Sequence, residues 1–107
     1  MRNNLKKAGV KVPDYPNAAH HIVAGTAKKA KPAQDILRKF GIGINDASNG
    51  LFLPTVKNVS KATYHPSLHT NAYYRKVNNL LGRANTRQEA IDILKRISRQ
   101  LTNGTFM

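Results

Sequence analysis

The side chains best equipped for chemistry are the four histidines of the chain, His20, His21, His65 and His69. They fall into two tight clusters: an adjacent pair within Asn17-Ala18-Ala19-His20-His21-Ile22-Val23, and a His-x-x-x-His pair. Imidazole ligates transition metals and, with an ordinary pKa of about 6.5, is a competent base near neutrality. Two histidines four apart on a helix share one face and can supply two ligands to one ion. A third from a distant strand completes a three-nitrogen site with an open position, the arrangement of a catalytic rather than a closed structural centre. The expectation is therefore one metal site drawn from both clusters, with one imidazole left over as a general base. Taken singly, each histidine also has a bland reading: His65 capping a helix, His69 packing on it, and the adjacent pair a surface accident.

The composition narrows the partner. Lys plus Arg number 18 against 5 acids, a formal charge of +13. Such an excess exceeds what solubility needs and points to a polyanion, nucleic acid before membrane. No apolar run approaches the roughly 18 to 20 residues that span a bilayer, and no apolar face with aromatic anchors accompanies the charge, so membrane insertion is not expected. With 0 cysteines, disulfides, thiolate nucleophiles and Cys-based zinc sites are excluded. Residues 1 to 12 carry Lys6, Lys7 and Lys11 but no apolar core of signal-peptide length, so any export address is expected on other sequence. At 107 residues one small domain with a thin core is expected.

The elements that must position the histidines follow from local pattern. Residues 1–16, with Pro13 and Pro16, read as a basic arm or loop. Ala18 to Ala24 reads as a short strand, since Ile22 and Val23 favour extended backbone and Gly25 permits a turn; alternation then sends His20 and His21 to opposite faces. Lys31 to Phe40 reads as a helix, with Pro32 in its first turn, Ile36, Leu37 and Phe40 spaced for one face, and Gly41 as a stop. Ser48-Asn49-Gly50 predicts a hairpin or loop turn before a second strand at 50–54, both Asn and Gly tolerating positive φ. From His65-Pro66 onward a helix is expected, with Leu68, Tyr73, Val77 and Leu80 or Leu81 inside and Gly82 closing it. Thr86-Arg87-Gln88-Glu89 has the form of a capping box, and Ala90, Ile93 or Leu94, Ile97 and Leu101 continue a packing helix to Asn103-Gly104. Residues 17–82 thus form the expected core and 83–107 the C-terminal helix of a single α+β domain.

Three strings now carry a resemblance: Ala19-His20-His21; Asn45-Asp46-Ala47-Ser48-Asn49-Gly50-Leu51-Phe52-Leu53-Pro54; and His65-x-x-x-His69-x-x-x-Tyr73. Taken in order over residues 17 to 77, they resemble the AHH branch of the HNH/endonuclease VII superfamily, nuclease domains of bacterial polymorphic toxins with a ββα-metal (His-Me finger) core and, here, additional packing helices. The resemblance implies that His20, His65 and His69 hold the metal, that His21 is the general base, and that Asn49 holds the metal-finger loop in shape. Asn45 is the rival for the Asn role, and exchanging His20 with His21 violates nothing in the sequence. Tyr73, Arg75 and Lys76 are candidates for site support or phosphate contact, each with an ordinary alternative as core or solvated surface.

The chemistry implied is phosphodiester hydrolysis. An imidazole activates water, and a divalent ion stabilises charge at phosphorus and on the leaving oxygen. Lys and Arg hold flanking phosphates without reading bases. The expected activity is thus a largely sequence-nonspecific DNA endonuclease using one divalent ion, Mg, Mn, Zn or Ni. An RNase of the same fold and a non-catalytic, metal-stabilised nucleic-acid-binding module are the alternatives. The resemblance also implies secretion or injection within a larger toxin, action in the target-cell cytoplasm, and an acidic immunity protein that protects the producer.

Overall fold

A computed structural model describes all 107 residues. Chain order is α1 (Arg2–Lys7), β1 (Asn17–His21), α2 (Lys31–Lys39), β2 (Gly50–Pro54), α3 (Asn71–Leu81) and α4 (Arg87–Asn103), with single 3-10 turns at Lys28–Ala30, Ala47–Asn49 and His65–Leu68. The architecture is α+β: two antiparallel strands among helices, in the register Asn17↔Pro54 to His21↔Gly50. Every residue of β2 is buried, whereas β1 buries His20 alone and leaves the rest half-covered. The apolar core joins Ile22 and Val23 beyond β1 to Leu51 and Leu53 of β2, Leu37 of α2, Tyr73, Val77 and Leu81 of α3, and Ala90, Leu94, Ile97 and Leu101 of α4.

Four sequence expectations are corrected. The N-terminal segment is not merely an arm: its first turns form α1, whose single apolar residue Leu5 is fully buried, and Arg2 donates to the Asn17 side chain at 2.7 Å. Extended pairing stops at His21, and Ile22 and Val23 enter the core as irregular backbone held by Asn49. Asn49-Gly50 is no hairpin turn; neither residue has positive φ, and a long connection containing α2 separates the strands. Finally, no continuous helix runs from Pro66. The 3-10 turn ends at His69, where ψ is 61°, and α3 starts afresh because the Thr70 hydroxyl accepts from the Tyr73 amide at 3.2 Å. His65, His69 and Tyr73 therefore do not share one helical face.

Elsewhere local signals and structure coincide. The Thr86 hydroxyl accepts from the Glu89 amide at 3.1 Å, while the Glu89 carboxylate reaches back to the amide of Asn85 rather than that of Thr86. Gly104 ends α4 in the left-handed region at φ 73°, where its amide bonds back to the Leu101 carbonyl. Leu94 is fully buried in the core, and Ile93 packs against its edge, partly buried.

Candidate active site

Strand alternation divides the adjacent histidines. His20 is 4% exposed, while His21 on the opposite face is half-buried. His20 Nε2 lies 2.9 Å from Tyr73 Oη, and that hydroxyl donates to the Ile22 carbonyl at 2.7 Å. A phenol has one proton, and a carbonyl can only accept it, so Tyr73 Oη must accept from His20 Nε2–H. The tautomer of His20 follows: its lone pair is on Nδ1, which faces His65 Nδ1 at 3.1 Å. Burial, then the neighbouring charges of His65, His69 and His21, lower the His20 pKa to about 3, so its ring is neutral near neutrality. Burial and the neighbouring His69 and His21 also lower that of His65. Burial pushes the Tyr73 phenol up, so its hydroxyl keeps its proton.

The three expected ligands meet in a row rather than around a point. His65 turns Nδ1 to His20 and Nε2 to His69 Nε2, the latter at 3.3 Å. No three side chains of His, Asp or Glu present ligand atoms to a common position. The donor chemistry nevertheless fits a metal at the inner end. Two nitrogens that share one divalent ion lie roughly 3 Å apart. The Nδ1 pair has this spacing; Tyr73 keeps the His20 lone pair there, where it accepts from His65 Nδ1–H, the proton that a bound ion would replace. Metal-binding histidines characteristically donate their second N–H as His20 does to Tyr73. His69 lies exposed at the outer end of the row.

His21 has a different support. Its Nε2 lies 2.7 Å from Asn45 Oδ1, an acceptor, so Nε2 carries the proton and Nδ1 keeps a lone pair. Asn45 is held in turn, since its carbonyl accepts from the Asn4 side chain of α1 at 2.6 Å. A cleft of about 300 Å³ brings together His20, His21, His65, His69, Tyr73 and Tyr74, and Ala24 to Ala27 also line it.

The other sequence candidates separate cleanly. Asn49 is fully buried and outside the cleft. Its Oδ1 accepts from the Val23 amide at 2.9 Å, and its Nδ2 donates to the carbonyls of Val23 and Ile44 at 3.2 and 2.9 Å. It ties the exit of β1 to the loop carrying Asn45, and being buried it touches no substrate. Lys76 donates to the Phe106 carbonyl and lies over that ring, 4.3 Å from its centroid, so it anchors the C-terminal segment instead of facing the cleft. Arg75 borders a separate polar recess with Lys29. Sequence reasoning left unassigned the contact of Asn45 with His21; the only signal was the position of Asn45 in the string ending at Pro54.

No helix is long and apolar enough to cross a membrane. No curated protein and no solved structure matches the chain. A family model does match, over residues 1–102: AHH, a nuclease family of the HNH/ENDO VII superfamily with conserved AHH. Since the match takes in nearly the whole chain, from α1 through most of α4, together with the Ala19-His20-His21 string itself, this protein belongs to the AHH nuclease family.

Proposed function

We propose that this nuclease is a metal-dependent, largely sequence-nonspecific endonuclease that hydrolyses DNA phosphodiester bonds on a ββα-metal core made by β1, β2 and the His65–Leu81 segment. One observation carries the reading: two neighbouring imidazoles, one buried and one half-buried, have their tautomers set by different partners, His20 by Tyr73 and His21 by Asn45. The inner, neutral ring suits a ligand, and the outer one suits a base.

In this reading His20, His65 and His69 would hold a divalent ion. When bound, the ion stabilises negative charge on the phosphate and the leaving oxygen as a Lewis acid. The chain's own residues perform the proton chemistry. His21 Nδ1 takes a proton from water as the water oxygen attacks phosphorus and the bond to the 3′ oxygen breaks, its electron pair leaving with that oxygen. Asn45 then serves the base directly, because its carbonyl oxygen stabilises the Nε2–H of the imidazolium that forms. Tyr73 acts one step removed, keeping the lone pair of His20 on the cleft side. Asn49 maintains the loop on which Asn45 sits.

The +13 charge supports a nucleic-acid substrate held through its phosphates and, for a toxin module of a secreted antibacterial effector acting in the target-cell cytoplasm, an acidic immunity protein captured by electrostatic steering. The direct test offers supercoiled plasmid and a structured RNA at matched salt, with chelator and after divalent-ion add-back. Nicking of the plasmid that disappears with chelator and returns with metal supports the proposal. Chelator-resistant cleavage refutes metal dependence, and preferential cleavage of RNA makes the enzyme an RNase.

A further inference from the structure

Beside the cleft, along both elements that border it, lies a second recess of about 220 Å³ lined by Lys29, Asn71, Arg75 and Asn78, with no apolar residue. The wall that reaches the catalytic cleft through Thr26 and Ala27 continues into Lys29, and α3 passes from Tyr74 of the cleft to Asn71, Arg75 and Asn78 of the recess. Tyr74 and Asn78 are four residues apart on α3, about one helical turn, so the two depressions are neighbours along the same helix.

The recess is built rather than incidental. Asn78 spends its amide on structure: Nδ2 donates to the Lys29 carbonyl at 2.7 Å and Oδ1 accepts from the Ala33 amide at 3.1 Å. This clasp fixes the backbone of Lys29 against α3 and so sets the lysine opposite Arg75. Two exposed cations are thereby placed around one hollow, and nothing in the chain neutralises them. The only ion pairs join Lys31 and Arg38 to Asp35, and no carboxylate lines the recess. Like charges placed together without a counterion favour an anion, and the unengaged amide of Asn71 adds a donor at the same place.

We propose that Lys29, Asn71 and Arg75 form a subsite for a backbone phosphate next to the scissile one, setting the path of the bound strand across Thr26 and Ala27. The assignment rests on the nuclease reading of the cleft. It gives Arg75 the phosphate-binding role and withholds it from Lys76, which is committed to Phe106.

The test separates binding from cleavage. Binding of a short fluorescent DNA duplex is measured across a chloride series for His21→Ala, for His21→Ala with Lys29→Ala and Arg75→Ala, and for His21→Ala with Lys95→Ala and Arg99→Ala. The last pair removes equal charge from exposed positions of α4 that border a different groove. Loss of two phosphate contacts is expected to reduce the slope of log affinity against log salt by about two and to weaken low-salt binding about tenfold or more, whereas the α4 pair changes the slope by less than about one. An unchanged slope in the Lys29/Arg75 variant, or an equal fall in the α4 variant, overturns the subsite. Plasmid nicking by the wild-type chain is scored separately. Its absence defeats the nuclease reading, while the salt slopes still decide whether the recess binds phosphate.

Discussion

Replacing Tyr73 by Phe removes one oxygen and leaves the ring in place, still in edge contact with Tyr74 and Phe106 at centroid distances of 5.9 and 5.8 Å. The oxygen serves two buried groups, accepting from His20 Nε2–H at 2.9 Å and donating to the Ile22 carbonyl at 2.7 Å. An orphaned buried donor costs about 1–3 kcal/mol, and for a domain of this size each kcal/mol moves the midpoint by about 4–8 °C, so the unfolding midpoint should fall by roughly 4–24 °C. The second consequence is chemical. His20 can escape the orphaned Nε2–H by moving its proton to Nδ1, which removes the lone pair from the cleft. Metal affinity should therefore drop about 10–100-fold, the usual cost of losing such an outer partner. Differential scanning calorimetry of the apo protein and calorimetric titration with Zn, Ni and Mn read the two effects separately. A midpoint within about 2 °C of wild type together with metal affinity within about twofold would falsify the claim that Tyr73 sets the tautomer of His20.

Three further outcomes follow from the same geometry. The folded pKa of His20, about 3, lies below the unfolded value, so the unfolded chain binds the proton first. Its share of stability is complete above about pH 6.5 and drains as pH falls toward 3, amounting to about 2 kcal/mol by pH 5 at about 1.4 kcal/mol per unit. Denaturant titrations of the apo protein at pH 7 and 5 should show this loss, and His20→Phe should flatten it; an unchanged slope in that variant places the acid sensitivity elsewhere. Asn49→Ala strips three side-chain bonds from Val23 and Ile44 and should cost about 2–4 kcal/mol in urea unfolding, with a loss under about 1 kcal/mol contradicting its role as a tie. Asn45→Ala, at an exposed position, should leave the thermal midpoint within about 2 °C while lowering kcat about tenfold with KM unchanged, through misorientation of His21; a change confined to KM would assign Asn45 to substrate binding instead.

How much of this was legible depended on whether a residue's partner lay near it in the chain. Helix α4 could be read because Thr86, the run Ala90, Leu94, Ile97 and Leu101, and Gly104 all report on neighbours within a few positions. Helix α2 was readable for the same reason, with Pro32 at its start and Gly41 at φ 67° beyond its end. Helix α1 was not, because six residues offer no period and its one anchor, Leu5, is explained only by the core it enters. The break at His69 was hidden because Pro66 signals a helix start, while Thr70, four residues later, starts the helix that persists. At the site, residue type marked the histidines, and alternation gave His20 and His21 separate faces. Their partners were tertiary facts: Tyr73 lies 53 positions from His20, and Asn45 lies 24 from His21. That Asn49 acts from the interior, and that the histidines stand in a row, likewise required the packed chain.

In the proposed mechanism His21 moves the proton while His20 serves the metal. The most direct test is plasmid nicking by His21→Ala at saturating divalent ion, paired with calorimetric metal titration and circular dichroism of the same preparation. Nicking is expected to fall about 100-fold or more, as for removal of a general base, with metal affinity and fold unchanged. Wild-type nicking by His21→Ala, or loss of its metal binding with the fold intact, would contradict that mechanism.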